Sequence, residues 1–113
     1  MSVAAIAAAA KAAAAAEQVV VLLGLDEHIE NEGRDRTDTK LPGAQAALLQ
    51  AVVRAGAGKP VVVVLVNGGI VSVDALLEYD VAVVEAWYPG VEGGRAIADA
   101  LFGVSNRWGK LPV

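Results

Sequence analysis

The sequence predicts an α/β protein, a partial three-layer αβα sandwich on a mostly parallel sheet, with about three strands and four helices. Two observations carry this. Three apolar runs, "QVVVLLG" (18–24), "KPVVVVLVNGG" (59–69) and "DVAVVEAW" (80–87), are rich in Val and lack polar alternation, which marks strands covered on both faces and therefore a parallel sheet. Apolar residues make up 56% of the chain but aromatics only 4%, so the core must be assembled from Val, Leu and Ala.

The elements follow in order. "MSVAAIAAAAKAAAAAEQ" is alanine-rich, its one cation, Lys11, lies mid-run, and Ala has the highest helix propensity, so residues 1–16 are expected to form a helix rather than a leader. After the first strand, Pro42 can sit in a first helical turn. Leu48, Leu49, Val52 and Val53 recur at helical spacing, and Gly56 can supply a left-handed stop. "SVDALLEY" (72–79) reads as a short helix capped by Ser72. "GGRAIADALFG" (93–103) reads as another, with Ile97, Leu101 and Phe102 buried and Gly103 ending it. Right-handed crossovers should place helices on both faces and gather the strand carboxyl ends on one edge, where α/β proteins hold ligands. Three segments follow those ends: "GLDEHIENEGRDRTDTKL", "NGGIVS" and "YPGVEGG".

Length and charge narrow the function. At 113 residues the chain has room for one domain, here 1–113 with its core in 17–113, and three strands make a small sheet whose outer edges need cover or partners. A piece of something larger is therefore expected, and the apolar end "LPV" points the same way. A net charge of −4 without a basic tract speaks against nucleic acid as a partner. No run after the alanine helix approaches the ~20 apolar residues needed to span a bilayer, so no membrane partner is expected. Absence of cysteine leaves the redox compartment open and fits a cytoplasmic setting.

The charged stretch "IENEGRDR" (29–36) is the candidate site. Glu30 and Glu32 are two residues apart, which in an extended loop points both carboxylates to one side, as a general acid and general base require. Solvated loop charges give the same pattern. Arg34, Asp35 and Arg36 permit a bidentate Arg–carboxylate pair that orders the loop or holds a sugar hydroxyl. His28 is the sole histidine and reads as a polar rim residue, leaving a histidine metal cluster or a serine triad without support; no metal or cofactor is expected. "NGG" (67–69) and "YPGVEGG" (88–94) match no dinucleotide or P-loop fingerprint and read as tight turns, although their N–H groups could meet an anion.

Glu-Gly-x-Asp-Arg, Leu-Pro-Gly, Asn-Gly-Gly and Trp-Tyr-Pro-Gly-x-Glu-Gly-Gly, in that order from Glu17 onward, resemble the C-terminal α/β sandwich domain of family 3 glycoside hydrolases, the β-glucosidases and β-xylosidases. The resemblance implies a retaining reaction at terminal β-D-glycosides, with an Asp nucleophile on an N-terminal barrel and an acid/base Glu on a sandwich-domain loop. The Glu before Gly-x-Asp-Arg is Glu32, with Glu30 the alternative, and Arg34, Asp35 and Arg36 would order the loop around a sugar shared with the barrel. The chain alone would then be inactive. Ile70 replaces the family's usual Pro after Asn-Gly-Gly, "NRWG" replaces Asn-Pro-Ser-Gly, and the family's domain has further strands upstream of the first one here. A non-catalytic carbohydrate-binding module, or one that self-associates through its open sheet edges, is the competing expectation. A flavodoxin-like nucleotide binder fits the topology but lacks a phosphate fingerprint.

Overall fold

The computed structural model describes residues 1–111; the last two residues of the "KLPV" end lie outside them. The elements run α1 (Val3–Ala15), β1 (Val19–Gly24), α2 (Gln45–Ala55), β2 (Val61–Val66), α3 (Asp74–Leu77), β3 (Ala82–Glu85) and α4 (Gly93–Leu101). The strands form one parallel sheet in the order β1-β2-β3, with Val19 beside Val61 and Val62 beside Ala82. This is the expected α/β architecture in partial form.

Alternation along the strands decides what packs where. Val19, Val21 and Leu23 of β1 and Val61, Val63 and Leu65 of β2 share one face, and Ala13, Leu49, Val52 and Leu76 close over them in a single buried cluster. Thus α1, α2 and α3 all lie on one side and α4 on the other, so helices flank both faces as expected, although the two crossover helices α2 and α3 share one face. Because β3 adds beyond β2, both crossovers progress in the same direction, and crossovers of one hand then lay their helices on one face. The other face is reached by α4, where Ala100 and Leu101 line a cavity with Val62, Ala82 and Val84. That cover stops short of β1, whose Val20 and Leu22 are 45% and 62% exposed, so β1 is covered on one face and not on two.

Local details depart from the sequence reading for identifiable reasons. Pro42 lies in the turn before α2, its carbonyl accepting the Gln45 N–H at 3.3 Å, and is not part of the first helical turn. Gly56 closes α2 at φ −90°, and the left-handed residue is Gly58 at φ +79°. Ser72 stands two residues ahead of the start of α3, bonded to Asp74, and the cap position expected for it is held by Val73. Phe102 is 77% exposed, beyond the end of α4, while Gly103, expected to end the helix, follows it in the left-handed region at φ +79°. One anchor had no sequence signal: Lys59 Nζ donates to the carbonyls of Ala13 and Ala14, placing a cation on the electronegative end of α1.

Candidate active site

The first loop is shaped by its own polar groups. Asp26 Oδ1 accepts the N–H groups of His28 (2.9 Å) and Ile29 (3.2 Å), and Asn31 Nδ2 donates to the Glu27 carbonyl at 2.7 Å. Asn31 and Arg34 then exchange both backbone hydrogen bonds, at 3.2 and 3.0 Å, and leave Glu32 and Gly33 as a two-residue tip. Gly33 has φ +81°, the value a type II turn needs at its second central residue, which explains a glycine directly after the glutamate.

This turn separates the two carboxylates that an extended loop would have aligned. Glu32 is exposed at the tip and accepts no hydrogen bond among the described residues. Glu30 turns inward: Arg36 Nε donates to its Oε2 at 2.8 Å and the Gly69 N–H to its Oε1 at 2.9 Å. The hydrogen bond from Arg36 is the largest influence on the Glu30 carboxyl; desolvation opposes it, and the Arg36 charge and then the Gly69 N–H add to it, so the group is held below its usual range. The second arm of the Arg36 fork, Nη2, donates to the Ile70 carbonyl at 2.6 Å. The ion pair is therefore Arg36 with Glu30 through one nitrogen, in place of the bidentate pair expected within residues 34–36. Arg34 and Asp35 are exposed, as is His28.

The other two loops close on the first. Asn67, 0% exposed at the end of β2, donates from Nδ2 to the Gly69 carbonyl (3.0 Å) and to Glu85 Oε2 (3.2 Å). Glu85 Oε1 in turn accepts the Trp87 N–H at 3.0 Å, fixing Trp87 at φ +53°, a strained conformation for a bulky residue. Both glycines of "NGG" lie against side chains that a Cβ would displace: one on Gly68 would lie 2.6 Å from Tyr88 Cε2, and one on Gly69 would fall on the Glu30 carboxylate. The anion that meets a "NGG" N–H is thus the chain's own Glu30. Gln45, which the sequence reading passed over, brackets Gly24 with two 2.8 Å bonds, from the Gly24 N–H to its Oε1 and from its Nε2 to the Gly24 carbonyl. Its only advance signal was a polar residue opening the helix, ahead of the apolar Ala46, Ala47, Leu48 and Leu49.

Three loops at the strand carboxyl ends, joined by these hydrogen bonds and holding Glu32 exposed at a hairpin tip, coincide with a family-wide match. Residues 3–113 match the glycosyl hydrolase family 3 C-terminal domain. The chain belongs to this family. The Arabidopsis thaliana protein named beta-D-xylosidase 1 is 45% identical over 97 residues, covering 83% of this chain and 12% of that protein. The periplasmic beta-glucosidase of Salmonella typhimurium is 39% identical over 95 residues, 84% of this chain and 12% of that one. Among solved structures, a beta-glucosidase from Listeria innocua in complex with glucose superposes with a TM-score of 0.82 at 36% identity, over 93% of this chain and 14% of that one. The Kluyveromyces marxianus beta-glucosidase in complex with glucose gives 0.77 at 39%, over 88% and 12%. The family 3 domain described here therefore spans about an eighth of the length of these relatives.

Proposed function

We propose that this domain supplies the general acid/base of a retaining β-glycosidase acting on terminal β-D-xylosides or β-D-glucosides, and that Glu32 is the proton donor. The observation that carries the reading is the division of labour between the two carboxylates. Glu30 is held ionised by Arg36 and the Gly69 N–H, which makes it a poor store for a proton, while Glu32 stands exposed at a hairpin tip on the ligand edge of the sheet. A retaining mechanism needs a second carboxylate ~5 to 5.5 Å away, and in this reading a barrel domain provides it across the bound sugar. Glu32 first protonates the glycosidic oxygen and then deprotonates the attacking water.

The test is hydrolysis of aryl β-xyloside and β-glucoside by this chain, alone and with the barrel domain of a relative, and by a chimera in which the chain replaces the matching segment of a full-length relative. Activity should require the barrel. In the chimera, Glu32→Gln should lower turnover by ~10²- to 10⁴-fold on poor leaving groups and far less on activated aryl glycosides, which need little protonation. Equal losses on both substrates would remove Glu32 from the role, and Glu30→Gln would then be the variant to compare. A second reading, a self-associating module, is favoured by the exposed Val20 and Leu22 on edge strand β1; dimers in sedimentation that Leu22→Lys abolishes would support it.

A further inference from the structure

We propose that Glu30, Arg36 and Gly69 are positioning residues, which clasp the Glu32 hairpin to the β2–α3 loop and so fix where its carboxylate stands. The inference rests on the acid/base reading for its catalytic meaning, but its geometry stands independently. Among the described residues, the hydrogen bonds that leave segment 26–37 for the rest of the molecule are the Gly69 N–H to Glu30 and Arg36 Nη2 to the Ile70 carbonyl. The remaining bonds of that segment are internal, so they set its shape and not its placement. Without the clasp, the hairpin would hang from Leu25, whose N–H is fixed by the Val66 carbonyl, and from Thr39, whose carbonyl accepts the Ser72 N–H.

A side chain at Gly69 would push directly on the clasp. The Gly69 φ lies outside the left-handed region, so backbone conformation does not demand glycine there. The obstacle is space: an added Cβ would overlap the Glu30 carboxylate and lie 2.9 Å from Arg36 Nη2. None of the three residues belongs to the buried apolar cluster under the sheet, so the clasp can be loosened without dismantling the core. That separation distinguishes positioning from general stabilisation.

Amide hydrogen exchange of this chain, read by NMR, tests the proposal with Glu30→Gln, Gly69→Ala and Arg36→Lys. Glu30→Gln and Gly69→Ala are each expected to lose about tenfold or more of the protection at the residue 69 amide, which is the N–H the clasp holds, the change in open population that follows loss of one charge-assisted hydrogen bond. Val63 and Leu65 in β2 should keep theirs. Arg36→Lys should fall between wild type and the other two, because an ammonium retains the charge but lacks the fork that serves Glu30 and Ile70 together. Unchanged protection of the residue 69 amide in Glu30→Gln and Gly69→Ala, or an equal loss at Val63 and Leu65, would overturn the proposal. In the chimera, the same two variants should lower kcat on poor leaving groups more than they raise KM. If Glu32→Gln is silent there, the acid/base reading falls while the exchange data still decide the clasp.

Discussion

Replacing Asn67 by Asp is expected to destabilise the fold more than replacing it by Ala, and to do so increasingly as pH rises. The Asn67 side chain is fully buried, donates to the Gly69 carbonyl and to Glu85 Oε2, and leaves its own Oδ1 without a partner. Ala removes a neutral bond of about 1 kcal/mol and a bond to a charged group of about 1.5 to 3, but also removes an unsatisfied oxygen whose burial costs about 1 to 3. The balance is a loss of about 1 kcal/mol. Asp keeps the shape, loses both donors and sets a second carboxyl against Glu85. Burial and the like charge both raise its folded pKa above the unfolded ~3.9, and a rise of two to three units costs about 3 to 4 kcal/mol once the pH exceeds both values. A folded-state pKa raised above the unfolded one means the cost is absent below ~pH 3.9 and grows as pH rises through the folded value. Urea denaturation followed by circular dichroism, at about pH 4.5 and pH 7, reads this directly. With a slope of about 1.5 kcal/mol per molar urea, Ala should lower the midpoint by under ~1 M at both pH values and Asp by ~2 M or more at pH 7 alone. An Asp variant that matches the Ala variant at pH 7, with no added pH dependence, would show that Asn67 is not held against Glu85 as described.

Three further outcomes follow from the same geometry. Gly24→Ala should cost about 3 kcal/mol or more, because its φ is +148° and a Cβ would overlap the Val66 carbonyl; a melting temperature near wild type would contradict this. Since Arg36 lowers the Glu30 pKa from its ordinary 4.5, the clasp contributes its stability above that value and is lost only as pH falls through the lower, folded one. A ¹³C titration of the Glu30 carboxyl with a midpoint above 4.5 would refute it, and Arg36→Ala should move the midpoint upward. Leu49→Ala, at a side chain 1% exposed in the main cluster, should cost about 2 to 5 kcal/mol in denaturant unfolding, whereas Glu32→Gln should change stability by no more than ~0.5.

The strands, their parallel pairing and the edge that carries the loops were legible because period and composition are local properties: "VVVLLG", "VVVVLV" and "AVVE" became β1, β2 and β3, each inside its expected run and within three residues of the run's ends. Which helices share a face was not, because it depends on strand order. A sheet ordered β1-β2-β3 sends α2 and α3 to one side, and no feature of the helices themselves announces that. Exposure of Val20 and Leu22 has the same origin. Their alternating neighbours Val19, Val21 and Leu23 are buried, yet the run is uniformly apolar, so sequence alone could not tell a one-sided strand from a two-sided one.

The site divides along a similar line. That "IENEGRDR" would sit at the ligand edge followed from chain order, but which glutamate is held and which is exposed depends on a single turn. Had residues 30–32 stayed extended, both carboxylates would have faced the same side and Arg36 could have served either. The Asn31–Arg34 pair, made possible by Gly33 at φ +81°, lifts Glu32 onto the tip and leaves Glu30 to Arg36 and Gly69. The partner that completes this arrangement, Gly69, lies 39 residues from Glu30 in sequence. The three glycine-bearing loops were therefore readable as turns one at a time, and as one joined surface only once the sheet had brought a backbone N–H of one against a carboxylate of another.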